Sequence, residues 1–93
     1  MDRLRATLRV LMKVIDVTPN QIRVRVEQPD AFVSGSMRTI SFDEARGIGA
    51  VVGRLKGDAD GKTKVQSLRF DRAKGWTAGT AERWARSHGY TPK

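Results

Sequence analysis

The stretch Gly57-Asp58-Ala59-Asp60-Gly61-Lys62-Thr63 holds the residue types of a phosphate loop and of a calcium loop together. A phosphate loop ending in Gly-Lys-Thr cradles phosphates with backbone amides and a lysine, and it opens a helix. Here Lys56 stands where its first glycine belongs, and Lys64–Phe70 reads as a strand. A calcium loop sets carboxylates on alternate residues, as Asp58 and Asp60 are set. Gly61 arrives too early for such a loop, and no glutamate closes it. A hairpin turn accounts for these residues better, because Asp-Gly accepts positive φ.

His88 is the one histidine and the chain has no cysteine. A disulfide framework, a thiolate zinc site and a cysteine nucleophile are therefore excluded. A histidine metal site or a Ser-His-Asp arrangement would rest on His88 alone. Its place near the end of a helical pattern is one that the helix dipole favours. Asp43-Glu44 is the only adjacent carboxylate pair, and sequence neighbours rarely converge on one substrate. The expectation is a non-enzyme with no catalytic residue, no metal and no cofactor.

Charge is the stronger signal. Lysine and arginine total 18 against 10 acids, a net charge of +8 on 93 residues. On so small a body this field attracts polyanions, of which nucleic acid is the commonest. An acidic protein surface is the alternative partner. No apolar run approaches the ~20 residues of a bilayer span, and Arg9 and Lys13 interrupt the apolar start. No signal peptide, membrane anchor or membrane partner is expected.

The elements that must position these charges follow from periodicity. Residues 3–15 fit both a strand, with Leu4, Ala6, Leu8 and Val10 on one face, and a helix, with Leu4, Leu8, Leu11 and Ile15 on one stripe. The β-branched residues favour the strand. Thr18-Pro19-Asn20-Gln21 is turn chemistry. Ile22-Arg23-Val24-Arg25-Val26-Glu27 alternates as a half-buried strand does, and Pro29 ends it. Residues 28–36 read as a loop or a short helical turn, Arg38–Phe42 as a short extended piece, and Asp43–Arg46 as another helical turn. Ala50–Lys56 and Lys64–Phe70 read as strands. Val65, Leu68 and Phe70 do not share a face in a regular strand, so a bulge or two-sided burial is required. Ala81, Trp84, Ala85 and His88 recur at helical spacing after a Thr77 or Thr80 N-cap, and Gly89 ends that helix. The predicted fold is α+β: one domain over 1–93, a small antiparallel sheet of about four strands and a C-terminal helix packed on one face.

Trp76 and Trp84 have the chemistry of base-stacking platforms, but tryptophans more often anchor a small core. In a hairpin of 3–17 with 22–27, Arg5, Arg9, Lys13, Arg23 and Arg25 share the solvent side. Like charges across strands are mildly destabilising, and a bound polyanion neutralises them. Arginine also suits bidentate phosphate contact. These five residues form the predicted nucleic-acid-binding face. A second basic group, Lys62, Lys64, Arg69, Arg72, Lys74, Arg83 and Arg86, is less clearly on one side. Exposed edge strands would permit a homodimer.

From Ile22 to Tyr90 the chain resembles a small domain of bacteriophage-associated proteins, found alone or appended to phage head-maturation proteases. The residues that carry this are Ile22-Arg23-Val24-Arg25-Val26 with Pro29 and Phe32, Arg38-Thr39-Ile40, Gly47–Gly57, Val65–Asp71, Gly75-Trp76-Thr77, Ala81, Trp84 and His88-Gly89. Residues 1–21 lie outside it. The resemblance implies phage or prophage origin, a place in the host cytoplasm or the virion, and a capsid-assembly accessory or host-protein inhibitor as the alternative role. It transfers no catalytic residue.

Overall fold

The computed structural model describes residues 14–93. Within them the chain forms β1 (Ile15–Val17), β2 (Gln21–Arg25), β3 (Arg38–Asp43), β4 (Ile48–Gly53), β5 (Lys64–Asp71) and α1 (Ala78–Ser87). All strand pairs are antiparallel and the sheet order is β1-β2-β5-β4-β3. The predicted α+β architecture is present with one strand more than expected, because the piece from Arg38 is a full edge strand. The strand expected over 3–15 lies almost wholly outside the described residues. At its end Val14 is helical and Ile15 opens β1. Among the described residues no helix is long and apolar enough to cross a membrane.

Local chemistry explains the elements. The β1–β2 turn closes because three hydrogen bonds join Thr18 and Gln21: Thr18 N and Oγ1 donate to Gln21 O at 2.8 and 3.1 Å, and Gln21 N donates to Thr18 Oγ1 at 3.0 Å. Pro29–Ala31 forms one 3₁₀ turn before Phe32. Residues 44–47 form a hydrogen-bonded turn rather than helix, with Gly47 N donating to Glu44 O. Thr77 caps α1, and Thr80 returns the bond to the Thr77 amide at 2.9 Å. Gly89 follows at φ 86°, a conformation that costs glycine little.

Alternation places Ile22 and Val24 of β2, Leu68 and Phe70 of β5, and Ile48, Ala50 and Val52 of β4 on one face. Ala81 and Ala85 of α1 pack there, and their small side chains let the helix approach closely. Trp76 and Trp84 flank Phe70 at ring separations of 4.8 and 5.6 Å. Each fully buried aliphatic or aromatic side chain contributes about 1.5–3 kcal/mol through removal from water. The tryptophans serve this core.

The required irregularity in β5 is a bulge at Gln66. Val51 pairs with Ser67 while Val52 pairs with Val65, so Gln66 has no partner in β4. Its carbonyl accepts from Val26 N at 2.9 Å and Glu27 N at 3.0 Å, and its Nε2 donates to Glu27 O at 3.0 Å. The extra residue returns Val65 to the side of Leu68 and Phe70, where it packs on the core.

Candidate functional site

The intervening positions of the same strands make the second face. β2 contributes Gln21, Arg23 and Arg25, and β5 contributes Ser67, Arg69 and Asp71. β4 adds Gly49, Val51 and Gly53, and β3 adds Thr39 and Ser41. Asp16 is the contribution of β1. At one end Phe32 lies against Gly53: a Cβ on that glycine would stand 3.0 Å from Phe32 Cδ1 and 3.2 Å from Met37 Sδ. Glycine thus seats Phe32, which is buried outside the main core.

The other end of this face is polar. Arg23 and Arg69 stand directly opposite each other on β2 and β5. Gly49 lies on the far side of Arg69 and adds no side chain. Arg23 Nε and Arg69 Nη1 each donate to Gln21 Oε1 at 3.3 Å, and Arg69 Nε reaches Ser67 Oγ at 3.4 Å. Two cations thus converge on one neutral oxygen. A shallow depression bounded by Asn20, Gln21, Thr39, Gly49, Arg69 and Asp71 opens beside them.

Among the described residues no carboxylate comes within 4.0 Å of either guanidinium; the ion pairs there are Lys64–Asp60, Arg86–Glu82 and Lys93–Glu27. Asp16 is the register partner of Arg23 without forming an ion pair, and Asp71 accepts from Ala73 N at 2.9 Å. Partial burial, and then the neighbouring Arg23 charge, pull the Arg69 pKa below the usual arginine value. Both effects mark a guanidinium held where its charge is under-compensated. The ordinary arginine pKa is so high that it stays charged at neutral pH.

Of the five predicted residues, Arg23 and Arg25 share this face. Arg23 is exposed. Arg25 is half-buried and engaged by the C-terminal segment: its Nε donates to Lys93 O at 2.8 Å and its carbonyl accepts Lys93 N at 2.9 Å. Arg5, Arg9 and Lys13 lie outside the described residues. The second basic group is dispersed. Lys62 and Lys64 sit at one end of β5, Arg72 and Lys74 at the other, and Arg83 and Arg86 on α1. Arg69 belongs with Arg23, and Gln21 joins both. The alternation of Ser67, Arg69 and Asp71 with Leu68 and Phe70 places Arg69 on the polar side, but its neighbour is distant in sequence.

The remaining candidates have structural roles. Asp58 Oδ1 accepts from Asp60 N at 3.3 Å and Asp60 Oδ1 from Lys62 N at 2.7 Å, so these carboxylates build the turn, with Gly61 at φ 65°. His88 is the C-cap of α1. Its ring stacks on Trp84 at 3.8 Å, and its Nδ1 lies 2.8 Å from Trp84 O. Trp76 Nε1 donates to Arg46 O at 2.7 Å, tying the β3–β4 turn to the core. The chain matches no protein-family model, no curated protein and no solved structure.

Proposed function

We propose that the chain is a non-catalytic binding module that takes polyanions, nucleic acid foremost, on the arginine-bearing face of its sheet. The observation that carries this reading is the convergence of Arg23 and Arg69 on Gln21 Oε1 with no carboxylate within ion-pair distance among the described residues. A phosphate presents several charged acceptors where Gln21 presents one neutral oxygen, and it accepts bidentate bonds from a guanidinium fork. It also relieves the repulsion between opposed arginines. The exposed hydroxyls of Thr39 and Ser41 extend the polar surface towards β3. Arg25 flanks the pair, and Arg5, Arg9 and Lys13 of the N-terminal segment are proposed to add phosphate contacts.

Such contacts read charge rather than base sequence. The test is a mobility-shift titration of the full chain with DNA and RNA, single- and double-stranded, at two salt concentrations. Affinity should fall steeply with salt, with a log–log slope of about 0.9 per phosphate neutralised on duplex DNA. Absence of binding to all of them at low salt would remove the reading. A pull-down after nuclease treatment that retains one acidic host or capsid protein would replace it with the protein-interaction role.

A phage or prophage origin is part of the proposal and rests on the residue resemblance alone. Recovery of the chain from purified virions, or from the soluble fraction of infected cells, would distinguish the two proposed locations.

A further inference from the structure

We infer that β3 is a self-complementary edge through which two copies of the chain pair antiparallel, joining their sheets into one. β3 closes one side of the sheet, and its outer edge has no strand partner among the described residues. The opposite edge, β1, offers three residues among those described. β3 runs Arg38-Thr39-Ile40-Ser41-Phe42-Asp43, with a cation at its start and an anion at its end. A second copy, rotated by a twofold axis through Ile40 and normal to the sheet, sets Ile40 against Ile40 and Thr39 against Ser41. It also brings Arg38 of each copy to the Phe42–Asp43 corner of the other. The central pairs match apolar with apolar and hydroxyl with hydroxyl; Arg38 stands opposite the skipped Phe42, next to the Asp43 that shares its face of the sheet, so cation and anion are neighbours at each corner.

Two of the three exposed large apolar side chains among the described residues fall at this edge, and the third, Val17, lies on β1. Met37 and Phe42 are 37% and 39% exposed and stand at the two ends of β3. In the paired arrangement Met37 of one copy meets the corner that carries Phe42 of the other. Phe42 is the residue skipped in the β3–β4 register, so the sheet's own pairing leaves it unused. A twofold axis normal to the sheet keeps both arginine faces on one side. The pairing does not depend on what that face binds.

Sedimentation of the full chain across a concentration series tests this, reading mass against the 10.4 kDa of one copy. The wild type should approach twice that mass. Arg38→Asp and Asp43→Arg should each remain single copies, because each sets like charges at both corners. An equimolar mixture of the two should restore the doubled mass, since every corner again pairs opposite charges. Asp43 Oδ1 also accepts from Arg46 N at 3.1 Å, so circular dichroism must first show Asp43→Arg folded. If it is not, amide exchange of the wild type decides, with protection of β3 and not of β1 rising with concentration. A wild type that stays a single copy throughout would overturn the inference. So would a doubled mass that survives Arg38→Asp, or a dimer that leaves β3 exchange unchanged.

Discussion

On one face of the sheet, Ile22, Val24, Leu68 and Phe70 meet Ala81 and Ala85 of α1 and are withdrawn from water. On the other, Gln21, Arg23, Ser67 and Arg69 occupy the intervening positions of the same two strands. The backbone ladder is common to both. The first set is sufficient to hold the strands in register, because a one-residue slip would expose all four apolar side chains. The second set adds opposed like charges that the ladder does not need. Folding stability is therefore concentrated on one face, and the other is left free to carry a surface whose charge is compensated from outside.

The sharpest contrast comes from adjacent residues of β5. Phe70→Ala should cost about 3–5 kcal/mol, because it removes a buried ring and its packing against Trp76 and Trp84. Urea unfolding would measure it, and a cost below about 1 kcal/mol would break the division of labour between the faces. Gly49→Ala comes next. The new Cβ would stand 2.9 Å from Ile40 O, so β3 and β4 must part. A destabilisation of about 1–3 kcal/mol is expected from such overpacking. It should be accompanied by faster amide exchange in β3.

Thr77→Ala removes the cap of α1 and should cost about 1 kcal/mol in the same unfolding assay, leaving the polar face intact. Glu27 gives the smallest effect. The Gln28 amide, and then the Lys93 side chain, hold its carboxyl below the usual value. A depressed folded-state pKa stabilises the fold above the unfolded value, and the benefit disappears as pH falls through the folded one. Glu27→Gln should thus be slightly less stable than wild type near neutral pH. The two unfolding curves should merge in acid, below the ordinary glutamate range.

Much of this division was legible from residue pattern, for identifiable reasons. Ile22–Glu27 alternates strictly because β2 has one wet and one dry face. Thr77 and Gly89 mark the ends of α1 because end groups need local partners. The mismatch of Val65 with Leu68 and Phe70 required an irregularity, and Gln66 supplies it. The grouping of Arg69 with Arg23 was not legible. β5 inserts between β2 and β4, so the pair is separated by about half of the chain, and periodicity reports faces but not neighbours. The edge role of β3 was hidden likewise, since Arg38–Phe42 has too few apolar residues to distinguish a strand from an extended loop.

The central claim is that the Arg23–Arg69 pair is maintained for an external anion rather than for the fold. Arg23→Gln/Arg69→Gln measures it directly. The double variant should unfold at the same urea concentration as wild type or slightly higher, since it removes a repulsive pair worth at most about 1 kcal/mol. In the same preparation, affinity for duplex DNA should fall and the log–log salt slope should decrease by about 1.8, about 0.9 for each phosphate that is no longer neutralised. Unchanged affinity and slope, with the fold intact, would contradict the account.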